Sequence, residues 1–259
     1  MILPDTFLTI PIAHRGYHDR AAGRIENSRA AVTAAVAAGY GIEIDLQLSA
    51  DGRAVVFHDD TLDRLTAERG PVAARTAEAL GAIALTGGNE TIPSFAEILA
   101  LVAGRVPLLV EIKDQDGAMG ASVGALEAAA AGDLAGYPGP VAVMSFNPHS
   151  MVAMARLAPD VPRGLVTSAY DPAVWAPLPA AICDRLRGIP DYDACGATFI
   201  SHEWRDLARP RVAELAAQGA AVLCWTIRSA AAETEARRIA RNITFEGYPA
   251  AIPAAIPAA

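Results

Sequence analysis

The amino-acid sequence predicts an α/β protein, a single (β/α)8 TIM-type barrel with a small insertion after its second strand. Three observations carry that expectation. Short apolar, β-branched runs alternate with Ala-rich helical stretches along the whole chain, and no break in composition divides them. The chain has 259 residues, of which 53% are hydrophobic and 19% charged, enough to bury one large core at the usual length of such a barrel. No Gly-x-Gly-x-x-Gly follows the first apolar run, as it does in the doubly wound open sheets that share the alternation.

Taken in order, the strand candidates are Leu8–His14, Ile42–Leu46, Val106–Lys113, Val141–Ser145, Arg163–Thr167, Ala197–Ser201, Ala221–Thr226 and Asn242–Glu246. Runs this short and this apolar suit strands covered on both faces. Between them Ser28–Ala38, Phe95–Val102, Gly120–Ala131, Ser150–Leu157, Arg209–Gln218 and Ala230–Ala240 read as helices. Ser49-Ala50-Asp51-Gly52 is a turn signal, and Arg53–His58 after it reads as a further extended segment. From Asp59 to Glu90 the chain is polar and Gly-containing, with one weak helical patch near Ala73–Leu80. Residues 51–90 are therefore expected to form an insertion over the barrel mouth, inside a single domain spanning 1–249. An Ala-Ile-Pro repeat fills 250–259, where a PPII-like or flexible tail is expected and no eighth helix is evident.

Charge and targeting narrow the function classes. There are 29 acidic against 21 basic residues, a net charge of −8, which argues against nucleic acid as a partner because phosphate backbones demand a basic surface. Cys183, Cys195 and Cys224 show no CxxC spacing and have apolar neighbours, so they are expected as buried, reduced thiols. The N-terminus has no secretory pattern, and no apolar run approaches the ~20 residues that cross a bilayer. The expected location is cytoplasmic, without stable membrane association.

In a barrel of this kind, chemistry gathers at the C-terminal ends of the strands. The first strand ends in His14-Arg15-Gly16. The second, Ile42-Glu43-Ile44-Asp45-Leu46, alternates carboxylates with aliphatic residues, and side chains at i and i+2 share a face, so Glu43 and Asp45 should both point inward. Val110-Glu111-Ile112-Lys113 repeats the device with an acid and a cation, and Val55-Val56-Phe57 runs into His58-Asp59. Inward carboxylates in an apolar barrel need neutralising. One reading is a salt-bridge network of Glu43, Asp45 and Glu111 with Arg15 and Lys113. The other is a divalent cation held by the three acids. The surplus of three acids over two cations favours the second. All-oxygen ligands select a hard ion, so Mg²⁺, Ca²⁺ or Mn²⁺ is expected and zinc is not. His14 and His58 then remain free for proton transfer.

The order His14-Arg15-Gly16, Glu26-Asn27-Ser28, Glu43-x-Asp45, Asp51-Gly52 and His58-Asp59-Asp60-Thr61-Leu62-Asp63-Arg64 resembles the signature of the glycerophosphodiester phosphodiesterases. Glu111-Ile112-Lys113, Ser145-Phe146 and Trp225-Thr226-Ile227 fall where that family has similar segments, so the likeness runs from residue 12 to about 249. It implies a (β/α)8 barrel with an insertion after strand 2, a metal on Glu43, Asp45 and Glu111, an acid/base pair in His14 and His58, and phosphate binding by Arg15 and Lys113. It also implies a small-molecule glycerophosphodiester substrate, split to glycerol 3-phosphate and an alcohol. The nucleophile would be either a water at the metal or the substrate's own 2-hydroxyl, and the family points to the hydroxyl.

Other residues stay open. Glu26 and Asn27 open a helix, and Asn27 suits a simple N-cap; the resemblance favours a supporting role at the site for both. Trp225 suits barrel packing and an apolar wall for a glycerol moiety equally. His18, His149 and His202 are expected as surface or satisfied loop histidines. Two segments depart from the family pattern. The loop from Tyr17 to Ile25 is longer and carries its own His18, Asp19, Arg20 and Arg24, and Phe245-Glu246-Gly247-Tyr248-Pro249 stands where the family has Thr-Asp-x-Pro. Rival activities are a lysophospholipase D or phospholipase C-like reaction on the same barrel, and a non-catalytic phosphate-binding protein.

Overall fold

A computed structural model describes residues 2–252. Its strands are β1 (Ile12–Ala13), β2 (Gly41–Leu48), β3 (Ala54–Val56), β4 (Leu108–Ile112), β5 (Val141–Ser145), β6 (Arg163–Thr167), β7 (Phe199–Glu203), β8 (Ala221–Ile227) and β9 (Asn242–Phe245). All but β3 run parallel and pair in one closed circuit, which joins at Ile12↔Thr244 on one side of β1 and Ile12↔Gly41 on the other. The departure at Phe245-Glu246 thus leaves the seam intact, with Ala13↔Phe245 as its last pair. β3 is antiparallel to β2, the second arm of a hairpin turned at Asp51-Gly52.

The helices are α1 (Thr6–Thr9), α2 (Arg29–Ala38), α3 (Ala77–Gly81), α4 (Phe95–Val102), α5 (Ala125–Leu134), α6 (Pro148–Leu157), α7 (Ala180–Arg187), α8 (Pro210–Ala217) and α9 (Ala230–Ala236). Local chemistry sets their ends. Ser28 accepts from Ala31 N–H to start α2, and Ser94 with Glu97 makes a capping box for α4.

The period of two along each strand divides the molecule into two cores. Outward residues such as Ile42, Ile44, Leu46, Val110 and Ile112 pack beneath the helices. Inward residues Ile12, Leu109, Ala142, Val166, Phe199 and Leu223 fill the lower barrel, where Phe7 of α1 closes the floor. Gly164 makes room for Phe199: a methyl group there would lie 2.5 Å from the ring. Asn242 Nδ2 donates to the carbonyls of Phe7 and Ile10 at 2.8 and 2.7 Å and ties α1 to that floor. Leu109 lies opposite Glu43 and Met144 opposite Glu111, so the apolar filling meets the carboxylates directly. The segment between β2 and α4 has its own small core of Val55, Phe57, Leu62, Leu65, Val72, Leu80 and Ile92, to which Ile25 contributes.

Several elements differ from the expectation. The first strand is only Ile12–Ala13, because Pro4-Asp5 opens a helical turn and Pro11 lacks an N–H for the ladder. Expected at Gly120–Ala131, α5 begins five residues later. The preceding loop is held by Asp114 and Asp116, whose carboxylates accept from the backbone N–H groups of Asp116, Gly117, Ala118, Met119, Gly120 and Ser122. Helix α7 lies where the sequence names none; it buries only Cys183 and Leu186, too few positions to show as a period. All three cysteines are free and buried, and burial raises Cys195 and Cys224 to about 12. The tail starts as a packed segment, with Ala250 buried and its carbonyl accepting from Tyr40 Oη at 2.7 Å. The remainder of the expected tail, 253–259, lies outside the described residues. No helix among the described residues is long and apolar enough to cross a membrane.

Candidate active site

The upper barrel brings Glu43, Asp45 and Glu111 together. β2 turns Glu43 and Asp45 inward, and its register with β4 puts Asp45 directly opposite Glu111. The three acids are 1%, 1% and 7% exposed, and one oxygen from each lies within 4.8 Å of the others. Backbone at the end of β1 is wrapped around them. Arg15 and Asn27 both adopt left-handed conformations, with φ of 54° and 58°, which non-glycine residues enter mainly where the surroundings compel it. The compulsion is visible: Arg15 N–H donates to Glu43 Oε2 at 2.9 Å, and Asn27 N–H donates to the Arg15 carbonyl at 2.8 Å. Asn27 Nδ2 donates to Asp45 Oδ2 at 2.8 Å. Asn27 is therefore not the N-cap of α2. Ser28 takes that place and frees the amide to orient a carboxylate.

Two cations face the acids. Lys113 Nζ lies 2.7 Å from both Asp45 Oδ1 and Glu111 Oε1. Arg15 Nε is 3.5 Å from Asp45 Oδ2, while its Nη1 is committed to Glu26 Oε1 at 2.6 Å. Burial would lower Lys113, but Asp45 and Glu111 outweigh it and keep the ammonium charged. Burial alone would raise Asp45, yet Lys113, His58 and Arg15 hold its carboxyl well below the usual range. Glu43 goes the other way: burial, and then the charges of Asp45 and Glu111, push it well above an ordinary glutamate. The acids thus exceed what the cations neutralise, and Glu43 carries the excess. Among the described residues no donor reaches Glu43 Oε1 or Glu111 Oε2. An all-oxygen, buried, over-acidic set of this kind fits a hard divalent cation.

Each histidine is held by a carboxylate. His14 follows β1, and its Nδ1 is 2.5 Å from Glu246 Oε2, just past β9, while its Nε2 lies 4.0 Å from Glu43 Oε2. Arg228 Nε holds the other oxygen of Glu246 at 2.7 Å. Burial lowers the His14 pKa, with Glu246 opposing it. His58 Nδ1 is 2.6 Å from Asp59 Oδ1. From Asp59 a chain of ion pairs runs through Arg64 to Glu26 and on to Arg15, with contacts of 2.6, 2.7 and 2.6 Å. Glu26 therefore bridges two arginines at the mouth of the site.

Glu246 is a site residue that sequence reasoning missed. Its signal was its place one residue beyond the last strand, in the segment that departs from the family pattern. His18 also differs from expectation, since it points at Glu246 with its Nε2 3.4 Å from Oε2. His202 is buried, bonded to Thr167 Oγ1 and Asp206, and lies outside the cavity; His149 also lies outside it.

His14, Arg15, Glu43, Asp45, His58, Glu111 and Lys113 line a cavity of about 170 Å³. Met144, Phe146, Val166 and Trp225 make its apolar side. Trp225 both packs and lines: its Nε1 donates to the Ser201 carbonyl at 2.9 Å, and its ring meets Phe146 edge-on at 5.6 Å. An open cleft of about 530 Å³ shares His58, Glu111, Lys113 and Phe146 with the cavity and continues past Met119 and Trp175. A depression of about 490 Å³ at the opposite end of the barrel has Arg241 as its one charged lining residue and offers no comparable chemistry.

The model of the glycerophosphoryl diester phosphodiesterase family matches residues 14–244. A glycerophosphodiester phosphodiesterase of Caldanaerobacter subterraneus subsp. tengcongensis is 32% identical over 168 residues, covering 61% of this chain and 66% of that one. The Bacillus subtilis protein YqiK is 31% identical over 172 residues, covering 62% and 68%. A phosphodiesterase of Oleispira antarctica, solved in complex with the product sn-glycerol-3-phosphate, superposes with a TM-score of 0.75 at 25% identity over 93% of this chain and 94% of that chain.

Proposed function

The chain belongs to the glycerophosphoryl diester phosphodiesterase family, and we propose that it hydrolyses glycerophosphodiesters to glycerol 3-phosphate and an alcohol. One observation supports the reading above the others: three buried carboxylates, two cations and two histidines converge on one small cavity with an apolar side. Glu43, Asp45 and Glu111 would hold a Mg²⁺, Ca²⁺ or Mn²⁺ ion, which when bound neutralises charge on the phosphoryl oxygens. Arg15 and Lys113 face the same space and complete the clamp on the diester. Asn27 fixes the rotamer of Asp45, and Glu26 fixes that of Arg15, so the clamp is built before substrate arrives.

His14 and His58 share the two proton transfers, one taking a proton from the nucleophile and the other giving one to the leaving alkoxide. The hydrogen bonds of Nδ1 to Glu246 and to Asp59 leave Nε2 of each ring for that work. No serine, threonine or cysteine lines the cavity other than Thr226 and Thr244, and neither bonds to a histidine, so the nucleophile is a water or the substrate's own 2-hydroxyl. The family resemblance favours the hydroxyl, whose attack expels the alcohol and leaves a cyclic phosphate that water then opens to glycerol 3-phosphate. Trp225 and Phe146 form the wall against which the glycerol carbons rest.

The experiment is a panel of phosphodiesters assayed for alcohol release with and without exhaustive chelation. Turnover of glycerophosphodiesters that stops on chelation and returns with Mg²⁺ or Ca²⁺ is the expected result. Full activity in chelator would sink the cation assignment, and no turnover of any diester would sink the hydrolytic one. A second reading, cleavage of lysophospholipids, has support in the cleft beyond the cavity. Trp175 packs against Phe146 there, and the neighbouring Val174 is 77% exposed. Lysophospholipids belong in the same panel.

A further inference from the structure

His14 stands between two different groups of ligand-type atoms. Its Nε2 looks toward the carboxylates, and its Nδ1 looks the other way, toward Glu246 and His18. One ligand-type atom from each of His14, His18 and Glu246 lies within 4.8 Å of the others, and Glu246 Oε2 meets His14 Nδ1 at 2.5 Å and His18 Nε2 at 3.4 Å. Both of the outer partners come from the segments in which this chain departs from the family pattern, the long loop after β1 and the turn after β9.

We propose that His14, His18 and Glu246 form a second metal site, selective for a borderline cation of the zinc class, whose occupation switches the enzyme off. The chemistry of the donors separates it from the carboxylate site. Two imidazoles and one carboxylate suit zinc and disfavour Mg²⁺ and Ca²⁺, whereas three carboxylates do the reverse. The geometry is close to what zinc requires. Tetrahedral ligands at about 2.0–2.1 Å stand about 3.3–3.4 Å apart, and His18 Nε2 is already 3.4 Å from Glu246 Oε2. The contact between His14 and Glu246, at 2.5 Å, has to open by about 0.8 Å to match.

His18 Nε2 supplies an independent sign. It is shielded from solvent and makes no well-aligned hydrogen bond, facing Glu246 Oε2 at 3.4 Å instead, so a cation between the two would satisfy both. The loop that presents it is braced rather than loose. Asp19 pairs with Arg24 through backbone bonds of 2.8 and 3.0 Å and caps the turn that follows, and Arg24 Nε donates to the Tyr17 carbonyl. On the other side, Arg228 fixes Oε1 of Glu246 and leaves Oε2 facing both imidazoles as the ligand atom, the outer-shell support that metal carboxylates commonly have.

The consequence follows from the proton count. In the metal-free state Glu246 takes the hydrogen bond from Nδ1–H, and Nε2 is a free base. With a cation on Nδ1, the one proton of the neutral ring sits on Nε2, so His14 can accept no further proton there, and giving that proton up would leave an imidazolate; either role is blocked. No net proton is gained or lost by the ring; its tautomer is inverted and locked.

The test titrates Zn²⁺ into enzyme saturated with whichever of Mg²⁺ or Ca²⁺ supports turnover. X-ray absorption at the zinc edge should report two imidazole nitrogens, and turnover should fall to a tenth or less as the site fills. His18→Ala and His18→Gln should keep basal turnover and thermal stability, show one imidazole fewer, and need at least about 10- to 100-fold more Zn²⁺ for the same inhibition, since even outer-shell losses weaken metal sites by that much. An all-oxygen zinc shell, or equal inhibition of wild type and both His18 variants, would mean that zinc enters the carboxylate site and overturns the proposal. Absence of zinc binding beside the hard cation overturns it as well. The inhibition arm rests on the hydrolytic reading, whereas the coordination arm stands without it, so failure of one is distinguishable from failure of the other.

Discussion

Glu246→Gln isolates what the carboxylate does for His14, because the amide keeps the shape and removes the charge. In the structure Oε2 is 2.5 Å from His14 Nδ1, and the two side chains are only 18% and 14% exposed, so solvent screens the pair little. A hydrogen bond to a charged group contributes about 1.5–3 kcal/mol. If that is lost only from the transition state, where the imidazolium forms, kcat falls about 10- to 150-fold. The amide adds a second penalty, since its NH₂ can donate to Nδ1 and force the proton onto Nε2; inverted tautomers of this kind reach about 10⁴. Glu246 does not line the cavity, so KM should stay near wild type. The assay is steady-state alcohol release, with a thermal melt to show that the fold is retained. Glu246→Asp, which keeps the charge and withdraws it by one methylene, should recover part of the loss. A kcat for Glu246→Gln within twofold of wild type would refute the positioning role.

Gly164→Ala tests the barrel floor. The added methyl would meet the Phe199 ring at 2.5 Å, and overpacking typically costs about 1–3 kcal/mol, so calorimetry should show a melting point lower by roughly 2–12 °C; an unchanged one would mean that Phe199 is free to move. Arg64→Met tests the ion-pair chain. Burial works against them, but Arg64 with Arg15 and with His58 holds Glu26 and Asp59 below their ordinary values. Groups depressed in this way stabilise the fold above their unfolded values, about 4.3 and 3.9, and lose that contribution as pH falls through the folded ones. Between pH 6 and pH 3 wild type should therefore lose more thermal stability than Arg64→Met, and parallel curves would contradict the linkage. A 2-deoxy analogue of the substrate should bind in competition with the natural diester yet release alcohol about 10³-fold more slowly or worse, given the advantage of an internal nucleophile; a rate ratio near one would leave water as the nucleophile.

The barrel was legible because its strands are buried on both faces and so read as unbroken apolar runs, and because Glu43, Asp45 and Glu111 interrupt those runs at a period of two. What stayed illegible depends on contacts distant in sequence or on backbone geometry. Asn27 looked like a helix cap because its residue type suits one. Only the left-handed turn shared with Arg15 shows that it serves Asp45. Glu246 reaches His14 across 232 positions, a pairing fixed by β9 closing on β1 rather than by any local pattern. The late start of α5 follows from side-chain bonds of Asp114 and Asp116 that compete with the helix, which a count of apolar positions does not register.

On the proposed reading, charge balance predicts that the cation serves binding as well as chemistry. The protein carries a net charge of −8, and the substrate is an anion. Within the cavity, Arg15 and Lys113 supply two positive charges against three from Glu43, Asp45 and Glu111, a balance of −1, while Arg228 is matched by Glu246. Both inward cations are also spoken for: Lys113 contacts two of the acids at 2.7 Å, and Arg15 is held by Glu26. A diester entering this set would meet repulsion that low dielectric amplifies. A divalent cation on the three acids turns −1 into +1 and releases Lys113 and Arg15 to face the phosphate. Chelation should therefore weaken binding of glycerol 3-phosphate by at least about tenfold, which at 1.4 kcal/mol is a modest demand on an interaction between opposite charges at close range. Calorimetric titration of glycerol 3-phosphate into chelated and metal-loaded enzyme measures it directly, without reference to turnover. Equal affinities in the two states would show that Lys113 and Arg15 suffice for the phosphate, and the excess acid would then have to be neutralised by protonation of Glu43.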